Sequence, residues 1–184
     1  VNLTGALFEA IDMRSFSNLW YWIALAVLWS TASHWVIGVP FDLIQRARRR
    51  GGAAVDEVGA LLVLNAQRFA RIWHEGGLAL TMGVSFALAS AMLLGFWYDV
   101  EFAQAVVLMV GPLLIVWAMT VRRALEIEAA MSAGRMEPRV MLNMLVLHRL
   151  KVQVVGMIAV TFTAFWGMMQ NFDIGLDMFL APAL

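Results

Sequence analysis

The chain has 184 residues, 62% of them hydrophobic, with 13 basic and 13 acidic residues and a mean hydropathy of +0.77. Soluble domains are only about 45–50% apolar, so this composition predicts a single membrane-embedded domain. The absence of cysteine excludes a disulfide framework, a thiolate metal site and a cysteine-ligated iron–sulfur cluster, while thirteen Met and eight Trp suit an adaptable, lipid-facing surface.

Residues 1–14, VNLTGALFEAIDMR, lack the basic start and long apolar run of a signal peptide. Leu3, Leu7, Phe8 and Ile11 cluster on a helical wheel away from Glu9 and Asp12, which predicts a short amphipathic helix on the outer membrane surface. Ser15, Ser17 and Asn18 offer N-caps for a first spanning helix over 19–39, which opens on an interfacial belt of Trp20, Tyr21 and Trp22. Pro40 follows. Next come Arg46, Arg48, Arg49 and Arg50, a strong topological signal and candidate ligands for lipid headgroups.

Residues 53–75 lie between two glycine pairs. Asp56, Glu57, Gln67, Arg68, Arg71, His74 and Glu75 fall on one face and Val58, Leu61, Leu62, Phe69, Ile72 and Trp73 on much of the rest, with Leu64 and Asn65 as imperfections, which predicts an amphipathic helix on the cytoplasmic membrane surface. The second span is 78–98, twenty-one residues without a charge and about 31 Å long as a helix. Ala79, Gly83, Ala87, Ala91 and Gly95 follow one another at every fourth position. Small residues so spaced let another helix approach closely, either within the bundle or from a separate subunit.

Three residues, Asp99 to Glu101, separate that span from a third over 102–121, so the two form an antiparallel hairpin. Gly111-Pro112 predicts a kink or local opening in mid-span. The third helix should continue past Arg122 and Arg123 through Ala133 and stop at Gly134. Pro138 suits the first turn of a last helix, with an interfacial part over 138–153 and a fourth span over 154–172. Ala159, Thr163 and Gly167 make a second small-residue stripe, the expected mate of the first. Residues 173–184 form a tail on the outer surface. The expected fold is all-α, an integral membrane four-helix bundle with interfacial amphipathic helices.

Twelve of the thirteen basic residues lie between Arg46 and Lys151, in the loops of one side. The positive-inside rule makes that side cytoplasmic and predicts a multi-pass protein of a bacterial inner membrane with both termini periplasmic. No phosphate loop, nucleophile elbow or metalloprotease motif is present, and no enzyme activity is expected. The centres of the spans carry no Asp, Glu, Lys or Arg, which argues against a pump or proton-coupled transporter. His34 and His148 are alternative ligands for a haem b held between helices, although no cofactor is needed to explain them. Gln104, Gln153 and Gln170 near span ends read as polar helix–helix contacts. Nucleic acid is excluded as a partner because the basic groups border the bilayer.

The stretches IDMRSFSNLWYW at 11–22, GVPFD at 38–42, VEFAQA at 100–105, HRLKVQVVGM at 148–157 and WGMMQN at 166–171 together resemble a family of small membrane proteins from photosynthetic and related alphaproteobacteria labelled "component of SufBCD complex". The label implies a link to iron–sulfur cluster assembly, but it carries no functional residues onto this cysteine-free chain. The expected function is that of a non-catalytic accessory or assembly subunit of a larger inner-membrane complex, respiratory or photosynthetic, with bound phospholipid. The alternatives are a small haem b protein and, after it, a small transporter or channel gated at Pro112.

Overall fold

The computed structural model describes residue 16 and residues 18–180, with side chains described as far as Gln170. The amphipathic helix expected over 1–14 and the last four residues of the tail lie outside the described residues. Five helices are present among those described: α1 Leu19–His34, α2 Phe41–Arg50, α3 Ala53–Phe96, α4 Glu101–Ser132 and α5 Pro138–Leu180. Between α1 and α2, Trp35–Val36 and Val39–Pro40 pair antiparallel as a miniature hairpin, β1 and β2. The all-α expectation holds apart from this hairpin. Three helices, α3, α4 and α5, are long and apolar enough to cross a membrane.

The first helix departs from the expected 19–39. Asn18 caps it as foreseen, its side chain accepting from the Trp20 N–H at 3.0 Å, but the helix stops at His34. Ile37 and Gly38 both take positive φ, +51° and +74°, as the central pair of a tight hairpin turn requires. Gly38 does so freely, whereas a β-branched residue there is strained. Burial offsets the strain at Ile37, for Val36, Ile37 and Val39 are 0–2% exposed. These apolar residues therefore belong to a packed core and not to helix α1.

The second difference is larger. No break occurs at Gly76-Gly77, and α3 is one helix of 44 residues, about 66 Å long. The amphipathic segment 53–75 is thus a continuation of the second span rather than a separate helix on the membrane surface. Each helical glycine costs about 1 kcal/mol relative to Ala, which tertiary packing readily outweighs. Gly77 makes room for a ring: a Cβ there would stand 3.0 Å from Trp73, whose indole lies 6.0 Å from that of Trp117 on α4. The Thr81 hydroxyl also donates to the Gly77 carbonyl at 2.7 Å.

The turn after α3 is as tight as expected, and α4 runs antiparallel to it. The helix continues through Pro112 without interruption and ends at Ser132, with Gly134 at φ +64° after it. Pro138 opens α5, which continues through the expected span and on to Leu180, so residues 173–180 extend the helix where a separate tail was expected.

Two packed regions result. The first is a base formed by the hairpin, α2, the first half of α3, the last turns of α4 and the start of α5. Val39, Ile44, Val58, Leu62, Ala124 and Leu145 meet there at 0% exposure. Asn65, which looked like a flaw on the apolar face of α3, donates to the Gly38 carbonyl at 3.2 Å and locks the turn in place. The second region lies along the uncharged stretches, where Leu25 and Trp29 of α1, Val116 of α4 and Val152 and Ala159 of α5 form a smaller core.

Candidate functional site

The two small-residue stripes have opposite fates. In α5, Ala159, Thr163 and Gly167 are all buried, but their partners are not the first stripe. A Cβ on Gly167 would stand 3.3 Å from the Phe16 side chain, and Ala159 packs with Leu25 and Trp29 of α1. Gly156, which sequence reasoning did not single out, is the tightest point of this contact: a Cβ there would lie 2.7 Å from the Trp29 ring. The mate of the second stripe is therefore α1.

The first stripe divides. A spacing of four residues advances about 400° on a helix of 100° per residue, so the series drifts about 40° per step. Over its four steps Ala79 and Gly95 end on nearly opposite faces, and no straight neighbour can meet all five. Gly95 is buried, where a Cβ would lie 2.9 Å from the Gln104 backbone nitrogen, and Ala91 is half-buried beside it. Ala79, Gly83 and Ala87 are exposed, and a Cβ on Gly83 would meet nothing within 4 Å. Only 6% of the most apolar window of α3 is buried, against 28% in α4 and α5. Leu78, Met82 and Phe86, all exposed, flank the open face.

Gly95 sits in a polar knot that ties three helices together. The Gln104 amide donates to the Gly95 carbonyl at 2.8 Å, while its oxygen accepts from the Trp166 indole at 3.1 Å and the Gln170 amide at 3.0 Å. All the hydrogen-bonding groups of a side chain 2% exposed are directed at helix neighbours, as the glutamines near span ends suggested for Gln104 and Gln170. Glu101 adds α1 to this end, accepting from the Phe16 N–H at 2.8 Å, and the Tyr21 hydroxyl donates to the Ala105 carbonyl. At the other end of α1, Arg149 donates to the Ser33 carbonyl at 3.1 Å and lies 3.8 Å over the Phe41 ring.

The two histidines named as alternative haem ligands have unlike surroundings. His34 is exposed at the end of α1 with its ring against Trp35. His148 is buried and its Nε2 lies 3.2 Å from the Thr120 hydroxyl. That hydroxyl gives its single proton to the Val116 carbonyl, so it accepts from Nε2–H of a neutral imidazole. His148 precedes the uncharged stretch 152–170 and lies outside the span expected over 154–172. Burial, with Arg123 and Lys151 nearby, pushes its pKa down to about 4. Among the described residues no group of three or more His, Asp or Glu side chains converges as a metal site would require.

Of the arginine cluster in α2, Arg46 pairs with Glu57 at 2.7 Å, and Arg48, Arg49 and Arg50 are exposed in its last turn. Comparison of the chain with protein-family models, curated proteins and solved structures gave no match.

Proposed function

We propose that this chain is a non-catalytic accessory or assembly subunit of a larger complex in a bacterial inner membrane, and that it holds its partner on the α3 face around Gly83 and Ala87. The carrying observation is that the longest apolar helix is the least buried one. Lipid covers any apolar surface, but large side chains serve that purpose best. Small residues at Ala79, Gly83 and Ala87 give up lipid contact and permit close approach of another helix. The base supports such a role by holding α3 at a fixed orientation through its own core.

Four crossings fit this reading. From the level of Gly167 to that of Arg149, α1 runs beside α5 for about 27 Å, close to the thickness of a hydrocarbon core. The basic base is then cytoplasmic, the ends of α1 and α5 near the polar knot are periplasmic, and Arg48, Arg49 and Arg50 lie at the inner leaflet headgroups. The resemblance to the alphaproteobacterial family directs attention to respiratory and photosynthetic complexes as partners.

The test is purification from native membranes in mild detergent with quantitative mass spectrometry. A partner should accompany the wild type in fixed ratio. The double variant Gly83→Leu, Ala87→Leu should lose it by about tenfold or more, equivalent to about 1.4 kcal/mol of contact, with unchanged helix content. Equal recovery with both proteins rules out this face as the contact.

A further inference from the structure

A groove runs between α4 and α5, on a different face from the open side of α3. Its upper part is apolar, about 270 Å³, with Leu108, Pro112 and Ile115 on one wall and Val155, Ile158 and Phe162 on the other. Its lower part, about 260 Å³, is polar and lies between Arg122, Arg123 and Glu126 of α4 and His148 and Lys151 of α5. The two parts share one line on each helix. Leu108, Pro112, Ile115, Met119, Arg122 and Glu126 are spaced on average 3.6 residues apart and so keep to one face. Lys151, Val155, Ile158 and Phe162 do the same on α5.

The charge is unbalanced at the lower end. Glu126 accepts from Arg123 at 2.7 Å and from Arg122 at 3.3 Å, but one carboxylate stands against two guanidiniums and the Lys151 ammonium. His148 contributes a neutral ring. Two positive charges are left without a partner where the uncharged stretches of α4 and α5 begin, the depth of a lipid phosphate. Guanidinium groups match phosphate oxygens in geometry as well as charge.

We infer that the α4–α5 groove is a binding site for one anionic phospholipid of the inner leaflet, its phosphate between Arg122, Arg123 and Lys151 and an acyl chain against Ile115, Ile158 and Phe162. An amphiphile with an anionic head and an apolar tail is the ligand whose two chemistries this groove presents in order along one line; basic pockets between membrane helices are used in this way. The site is separate from the arginine cluster of α2. It rests on α4 and α5 crossing the membrane, and not on the accessory role or on the α3 face.

The experiment uses the full chain stripped of lipid in a neutral detergent and examined by native mass spectrometry. It is titrated in turn with phosphatidylglycerol, phosphatidylcholine and inorganic phosphate. The expected result is one bound phosphatidylglycerol, with phosphatidylcholine and phosphate bound far more weakly. Arg122→Gln with Lys151→Gln removes two interfacial cations and should weaken phosphatidylglycerol binding about thirtyfold. Arg135→Gln, at an exposed residue outside the groove, should leave it unchanged. Equal binding of the two lipids by the wild type overturns the inference even if the double variant fails to fold. Phosphate alone binding as tightly as the lipid assigns the basic end to a free anion and overturns it as well.

Discussion

The base and the apolar half of this protein are built from the same three long helices, yet they are packed in different ways. In the base, α3 buries Val58, Leu62, Ala66 and Ala70 in an i, i+4 line and turns every charged residue of 53–75 outward. Beyond Gly77 the same helix buries only Gly95. On the proposed membrane placement, water enforces burial in the first region, because exposed apolar area there costs about 25 cal/mol per Å². In the second region lipid is as apolar as the side chains, so contact must be gained by close packing or polar links. Helices α1, α4 and α5 have both, through Trp29 on Gly156 and through Gln104. The upper part of α3 has neither along Ala79, Gly83 and Ala87.

This contrast can be broken in several places. The largest loss should come from the base, where Leu62→Ala or Leu145→Ala removes a side chain at 0% exposure. A decrease of about 2–5 kcal/mol in unfolding free energy is expected, seen as a lower thermal midpoint in detergent. Phe86→Ala, on the open face, should leave that midpoint where it was. Next comes the closest helix contact: Gly156→Leu has to displace the Trp29 ring and should destabilise by about 1–3 kcal/mol. Gly83→Ala is the control: with empty space around it there is no clash, and the gain in helix propensity should stabilise by up to about 1 kcal/mol.

Much of this organisation was legible in the sequence. The uncharged lengths located the three long apolar stretches, Pro138 and Gly134 marked real helix boundaries, and Asp99–Glu101 gave the turn. The errors have a common cause. Val36, Ile37 and Val39 are as apolar as a span, and hydropathy cannot tell a residue facing lipid from one buried in a soluble core. Gly76-Gly77 looked like a stop because glycine often ends a helix, but here Gly77 serves the packing of Trp73, information that lies in three dimensions. The first small-residue stripe is regular along the chain but drifts around the helix, so its five residues do not share one face. Asn65, read as a blemish, is the residue that fixes the hairpin turn.

Smaller effects sharpen the same comparison. Gln104→Leu deletes three hydrogen bonds from the polar knot and should lower stability by about 1–2 kcal/mol, loosening the α3–α4 turn in hydrogen exchange before the base responds. The destabilising effect of His148 is absent at neutral pH. Its folded pKa is lowered to about 4, so the unfolded chain takes up a proton first as pH falls. Its contribution to stability is complete above about pH 6.5, the ordinary value, and declines as pH falls toward 4. His148→Gln should flatten that part of the pH–stability curve while retaining a donor for Thr120.

The most direct test of the open α3 face is photo-crosslinking in native membranes with benzophenone-alanine placed at Phe86 and, in a second protein, at Phe162. Both positions are exposed and apolar, at 77% and 54%, but one borders the open face of α3 and the other the lipid groove. The expected result is a single protein adduct from position 86 and lipid adducts alone from position 162. Lipid adducts alone from both positions would contradict the assignment of α3 as the docking face.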